Sequence, residues 1–265
     1  MDNWLALEGK TVIVTGGSSG IGQAVATHLH AVGVNVVVAD LHVPAEDTSN
    51  ITTIATDITS RESVQAMVDQ VIERYGRIDG LVNNAGINLP RLLVDGYNPD
   101  HPQYELDDDA FTAMMAVNIK GVYLAAQAVA RHMVANQAGV IVNVSSEAGM
   151  EGSDGQSMYS ATKGAVNGFT RSWAKELGRW GVRVVGIAPG ILEPTGLRSP
   201  IYEAALAYTR GTTVDGLNQD YSSSIPLGRV GTLEEVATTI AFLLSPRGGY
   251  LAGTTVNVTG GKSRG

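Results

Sequence analysis

The sequence contains no cysteine, which excludes disulfides, thiolate metal sites, iron–sulfur clusters and a cysteine nucleophile together. Charge is scarce. Only 17% of the 265 residues are Asp, Glu, Lys or Arg, and 26 acidic residues outnumber 18 basic ones, for a net charge of −8. A chain this acidic is not drawn non-specifically to nucleic acid or to an anionic membrane surface, so any anion it binds must be held by a local site. Proline is sparse, 9 residues against 32 glycines. No run of about 18 apolar residues occurs, and Met1-Asp2-Asn3-Trp4-Leu5 carries an acid where a signal peptide carries positive charge. These absences lead us to expect a soluble, cytoplasmic protein without a membrane or nucleic-acid partner.

Hydrophobic residues make up 44% of the chain, too many for disorder. The length suits one large α/β domain, and no repeat, charge run or Ser/Pro-rich linker divides it, so residues 1–265 read as a single domain. Short runs rich in β-branched residues recur at Thr11 to Thr15, Val34 to Asp40, Ile51 to Asp57, Gly80 to Asn83, Gly139 to Ser145, Val182 to Ala188 and Thr254 to Val258. Most are apolar at successive positions, the mark of a parallel strand covered on both faces. Stretches of helical period lie between them at Ile21 to Ala31, Arg61 to Tyr75, Asp108 to Asn136, Met158 to Trp180 and Leu233 to Leu244. The alternation predicts a doubly wound α/β fold. Ile191 to Pro226 breaks the rhythm and reads as a lid-like excursion with short helical pieces. The acidic cluster Glu105, Asp107, Asp108 and Asp109 reads as a helix N-terminal feature. His28 and His30 are two apart, face different sides of a helix and make no metal site.

The chemistry is concentrated at strand ends. The first strand runs into Thr15-Gly16-Gly17-Ser18-Ser19-Gly20-Ile21-Gly22 and then a helix, so backbone N–H groups and a helix N-terminus can approach a pyrophosphate. Asp40 closes the second strand about 20 residues on, where a carboxylate accepts from ribose hydroxyls and repels a 2′-phosphate. Neither Gly17 nor Leu41 offers a cation to that phosphate, so NAD is expected rather than NADP. Asp57, Asn83-Asn84-Ala85-Gly86 and Ser145-Ser146 follow later strands. Tyr159 comes thirteen residues after Ser146, and Lys163 lies four further on, one helical turn away on the same face.

Taken in order, Thr15 to Gly22, Asp57, Asn83 to Gly86, Asn118, Ser146, Tyr159, Lys163 and Ala188-Pro189-Gly190 resemble the short-chain dehydrogenase/reductase pattern over essentially the whole chain. The resemblance implies a single-domain Rossmann oxidoreductase with a mostly parallel seven-stranded sheet, helices on both faces, no metal, and a homotetrameric assembly. It implies that Tyr159 is the general acid/base, that Ser146 holds the reacting oxygen, that Lys163 steadies the phenolate and binds the nicotinamide ribose, and that Asn118 holds a water linking Lys163 to solvent. Cofactor contacts are implied for Gly16, Ser18, Ser19, Gly20, Ile21, Gly22, Asp40, Asp57, Ile58, Asn84, Ala85, Gly86, Tyr159, Lys163, Pro189, Gly190 and Leu192. A tyrosine titrates near 10, so a base working near neutrality needs roughly 3 to 4 kcal/mol of phenolate stabilisation. One departure is that Pro194 occupies the position where the family commonly has a cofactor-touching Thr, with Thr195 one residue late.

Longer stretches, including Asn88 to Asp95, Val144 to Ser153, Ala188 to Arg198 and the tail Thr259 to Gly265, resemble a branch of the family that oxidises a hexitol phosphate with NAD. An unphosphorylated polyol or ketone is the alternative substrate. For a phosphosugar the candidate cations are Arg91, Arg198, Lys262 and Arg264, and Glu147 and Glu151 are candidate acceptors for polyol hydroxyls.

Overall fold

The computed structural model describes residues 4–42, 51–195, 198–217, 221 and 224–263. Its centre is a seven-stranded sheet made of β1 (Thr11–Thr15), β2 (Asn35–Asp40), β3 (Thr52–Ala55), β4 (Gly80–Asn83), β5 (Gly139–Val144), β6 (Val182–Pro189) and β7 (Thr255–Val258). The order is β3-β2-β1-β4-β5-β6-β7 and every neighbouring pair is parallel. The doubly wound expectation is therefore met, with the mostly parallel sheet found to be wholly parallel.

Side-chain alternation along β1 and β2 divides the core. Val12, Val14, Val36 and Val38 face one side, packed with Val25, Ala26 and Leu29 of α1 (Gly20–Ala31) and with Val236, Ile240 and Ala241 of the helix Leu233–Leu244. Ile13, Val37 and Ala39 face the other, against Val64, Met67 and Val71 of α2 (Arg61–Tyr75) and Leu124, Val129 and Met133 of the helix Val122–Asn136. Adjacent strand residues thus serve opposite layers, which is why the strand segments read as continuous apolar runs.

The stretch expected as one helix from Asp108 to Asn136 is three pieces: α3 (Asp108–Met115), a π-helical turn (Ala116–Gly121) and α4 (Val122–Asn136). It is apolar and long enough to span a bilayer on composition alone, but it packs as a core helix through Leu124, Ala125, Val129 and Met133. Asp107 caps α3, its carboxylate accepting from Ala110 N at 2.7 Å, and Asp108 and Asp109 fill the first turn, as expected for that acidic cluster. Glu105 differs, because its carboxylate accepts from Asp95 N at 2.8 Å.

After β5 come α5 (Ala148–Glu151) and α6 (Ser157–Leu177), the latter continued by a 3-10 turn to Trp180. The 191–226 excursion holds α7 (Pro200–Thr209) and α8 (Val214–Leu217) among its described residues. Pro200 in the first turn and the Ser199 hydroxyl accepting from Tyr202 N start α7, one of the short helical pieces expected in this stretch. The last helix, α9 (Leu233–Leu244), opens on a capping box of Thr232 and Glu235. His28 is 2.7 Å from Glu234, and no metal-ligating cluster occurs among the described residues.

Candidate active site

The strand order reverses between β1 and β4, and the carboxyl ends of β1, β4, β5 and β6 open on that crevice, where ligands bind in an open α/β sheet. The glycine loop fills one side. Asn84 donates from Nδ2 to Thr15 O and Gly16 O, both at 3.0 Å, while Thr15 Oγ1 accepts from Asn84 N and Ala85 N, both at 3.1 Å. These contacts fuse the β1 and β4 loops into one rigid floor. A side chain at Gly22 would collide with Gly16 O and the Asn84 amide, so only glycine lets α1 start this close to the loop. Ser19 precedes α1 without a side-chain cap bond, leaving the helix N-terminus to a ligand. Asp40 accepts from Ser18 N at 3.0 Å and from His42 N at 3.2 Å, which puts its carboxylate beside the loop.

Asp57 turns the chain after β3, its Oδ1 accepting from Thr59 N and Thr59 Oγ1 at 2.8 and 2.7 Å. Ile58 is buried against Gly121 in the π-helical turn. The glycine-loop face is crossed by Thr195, whose Cβ lies 3.4 Å from where a side chain at Gly20 would begin. Thus the one-residue displacement caused by Pro194 does not carry Thr195 away from the loop. Gly190 donates to Val258 O at 2.9 Å, and Leu192 bridges to Gly231, fixing the strand end that faces the glycine loop. Backbone N–H groups, a bare helix N-terminus, a ribose-side carboxylate and a glycine-lined floor together fit a dinucleotide.

Ser146, Tyr159 and Lys163 stand on the other side. Lys163 is buried on α6; its Nζ donates to Val144 O at 2.8 Å and lies 5.7 Å from the Tyr159 ring centroid. Ser145 Oγ donates to Lys163 O at 3.0 Å, so the end of β5 and the turn of α6 that carries Tyr159 and Lys163 are held together. Ser146 accepts from Ala148 N at 3.2 Å, and its hydroxyl is close enough to the Tyr159 phenol to favour the phenolate. Burial dominates both titrating groups: it pushes the Tyr159 phenol up to about 12, against the Ser146 hydroxyl, and the Lys163 ammonium down to about 8. The lowering of the phenol expected from sequence is therefore absent from the chain by itself, because desolvation of a phenolate outweighs one hydroxyl donor.

Asn118 is fully buried in the π-helical turn, a deformation that often marks functional positions. Its Oδ1 accepts from Ile87 N at 2.8 Å, while its Nδ2 donates to Ile87 O at 2.8 Å and Thr162 Oγ1 at 3.1 Å. The amide thus clamps the loop after Gly86 to the helix carrying Tyr159. Beneath it, Asn83 Nδ2 donates to Asn143 Oδ1 at 2.9 Å and Asn143 Nδ2 to Thr170 Oγ1 at 3.0 Å, a buried chain joining β4, β5 and α6.

The substrate side includes residues that sequence spacing did not single out. The Tyr202 phenol accepts from Gln156 Nε2 at 3.0 Å and Asn88 Nδ2 at 3.4 Å, while Asn88 Oδ1 is buried without a hydrogen-bond partner among the described residues. Gln156 precedes Tyr159 by one turn, which was the available signal; Tyr202 had none, since only folding brings α7 here. Glu147 and Lys262, two expected substrate residues, pair with each other at 2.6 Å, and Glu147 Oε2 is buried with no hydrogen bond from the described residues. Arg198 pairs with Glu203 at 3.1 Å. Arg91 donates from Nη1 to Pro90 O at 2.9 Å and lies over the Tyr104 ring. Glu151 is exposed at the end of α5. Arg264 lies outside the described residues.

The crevice, the glycine loop and the Ser146–Tyr159–Lys163 group define a nicotinamide-dependent oxidoreductase, and the short chain dehydrogenase family model matches residues 10–205; the chain belongs to that family. It is 54% identical to sorbitol-6-phosphate 2-dehydrogenase of Klebsiella pneumoniae over 268 aligned residues, covering 100% of both chains. Among solved structures, NAD+-bound xylitol dehydrogenase aligns with TM-score 0.84 and 27% identity, covering 97% of this chain and 100% of that one. Aldohexose dehydrogenase of Thermoplasma acidophilum aligns with TM-score 0.83 and 29% identity, covering 98% and 96%.

Proposed function

We propose that this enzyme interconverts sorbitol 6-phosphate and fructose 6-phosphate with NAD(H), as a cytoplasmic homotetramer. The observation that carries the reading is the end-to-end 54% identity to a sorbitol-6-phosphate 2-dehydrogenase, since fructose 6-phosphate is sorbitol 6-phosphate oxidised at C2. The site chemistry supports it: Asn88 Oδ1 is a buried acceptor that no described residue satisfies, and a polyol hydroxyl is a donor that would complete it. Asp40 beside Ser18 N supports NAD, because a 2′-phosphate there would meet a carboxylate.

In this reading the glycine loop, Asp40, the Asp57-Ile58 turn, the Asn84 to Gly86 loop, the Pro189 to Leu192 segment and Thr195 hold the dinucleotide. The bound nicotinamide carries the hydride and, when oxidised, adds positive charge beside Tyr159. Ser146 orients the C2 oxygen. The Tyr159 phenolate removes the C2 hydroxyl proton during oxidation, and the phenol returns it during reduction. Lys163, held on Val144 O, supplies fixed positive charge that offsets the burial of the phenolate. Asn118 keeps the Gly86–Asn88 loop in register with Tyr159.

Following NADH oxidation with fructose 6-phosphate and fructose side by side tests the reading. A kcat/KM at least tenfold higher for the phosphorylated sugar is expected. Equal or better use of fructose would move the assignment to an unphosphorylated polyol.

A further inference from the structure

The cations expected to meet a phosphate are largely engaged. Lys262 holds Glu147, Arg198 holds Glu203, and Arg91 lies over Tyr104. Arg210, which sequence reading passed over, is differently placed. It follows α7 directly, and its Nη2 donates to the Ser153 hydroxyl at 3.3 Å. Among the described residues no carboxylate pairs with it.

Its location gives the Ser153 contact meaning. The turn 153–156 lies between Ser146 and Tyr159 in sequence, and two segments converge on it, the loop at Arg91 and α7. Arg91 N donates to Gly155 O at 2.8 Å. The end of α7 packs so closely there that a side chain at Gly155, already at φ +71°, would collide with Thr209. Gln156 closes the turn by donating to Tyr202 of α7. A continuous chain of contacts therefore runs from the α6 turn of Tyr159 through Gln156 and Tyr202 to Ser153 and the exposed guanidinium of Arg210. Burial raises the Tyr202 phenol against its bond from Gln156, and the charges of Arg210 and Arg198 oppose that rise while Glu203 adds to it. Two guanidinium groups thus bear on this chain of contacts in an acidic protein.

We propose that Arg210, positioned by Ser153, is the group that binds the substrate's terminal phosphate and so sets the preference for a phosphorylated sugar. With C2 at Tyr159, the phosphate stands at the far end of the carbon chain, towards Arg210. A guanidinium offers a dianion paired, charge-assisted donors, and the Ser153 hydroxyl adds a neutral one. The remaining chain of the sugar passes Asn88, Gln156 and Tyr202, whose amide and phenol groups suit hydroxyls. This inference rests on the phosphohexitol reading above.

The test is the ratio of kcat/KM for fructose 6-phosphate to that for fructose, measured on wild type, Arg210→Ala and Ser153→Ala, with NADH binding by fluorescence confirming a folded site. The proposal expects a high wild-type ratio, a fall of at least tenfold in Arg210→Ala, and a smaller fall in Ser153→Ala. Inorganic phosphate should also inhibit the wild type competitively with fructose 6-phosphate and lose that effect in Arg210→Ala. A high ratio unchanged in Arg210→Ala overturns the role of Arg210 and leaves the substrate reading standing. A wild-type ratio near one overturns the substrate reading, and this proposal with it. Should Arg210→Ala not fold, Arg210→Gln and Ser153→Ala carry the same ratio test.

Discussion

The carboxylate of Glu147, next to Ser146, accepts a 2.6 Å hydrogen bond from the ammonium of Lys262, 115 residues further along the chain. Both side chains are less than a third exposed, and Glu147 Oε2 also sits close to Gly190 at the end of β6. The pair therefore ties the end of β5, the end of β6 and the C-terminal segment into one wall of the crevice.

Breaking that pair from one side leaves a poorly solvated carboxylate. Lys262→Met should destabilise the enzyme by about 1–3 kcal/mol, less than the loss for a fully buried pair. It should also raise the KM for sugar more than it lowers kcat. Thermal melts and steady-state kinetics read both effects, and Lys262→Met combined with Glu147→Gln should recover most of the melting temperature. A melting curve unchanged by Lys262→Met would make the contact a surface pair of no consequence.

Tyr159→Phe keeps the ring and removes the hydroxyl proposed to transfer the proton. Turnover should drop by about 10²–10⁴, the range for losing a positioned acid/base. NADH affinity, followed by fluorescence, should stay within about twofold. Retention of more than about a tenth of the wild-type rate would leave less than about 1.4 kcal/mol for the phenol and reassign the role.

Burial lowers Lys163 from its ordinary 10.5 to about 8, so its charge is complete below that pH and lost above it. Because kcat/KM for the cofactor reports groups in the free enzyme, that parameter for NADH should decline as pH rises through about 8. Lys163→Arg, which stays protonated, should flatten this limb whatever its effect on the maximum. The unfolded chain binds the extra proton between about 8 and 10.5, so this group's contribution to stability improves as pH climbs through that window. A wild-type profile flat to about pH 10 would contradict the burial argument.

Asp40 accepts from Ser18 N within the glycine loop, and the wild type should prefer NADH to NADPH at least tenfold in kcat/KM. Asp40→Ser removes the charge and should narrow that ratio through improved use of NADPH. Equal use of the two cofactors by the unaltered enzyme would defeat the electrostatic reasoning.

Local chemistry in the sequence determined the fold class and the placement of the glycine loop. Apolar runs such as Thr11 to Thr15 encode strands covered on both faces, and glycine spacing encodes the cradle, because both depend on residues adjacent in the chain. The one-turn spacing of Tyr159 and Lys163 placed them on one helix face, and only the resemblance of the whole pattern, from the glycine loop to Ala188-Pro189-Gly190, singled them out. The tertiary structure alone decided what surrounds them. Tyr202 and Arg210 reach Gln156 and Ser153 only because α7 packs on the 153–156 turn, and Lys262 meets Glu147 only because β7 lies beside β6. It also decided how the two groups are solvated, since the desolvation that raises Tyr159 and lowers Lys163 depends on everything folded around them and not on their spacing along one helix.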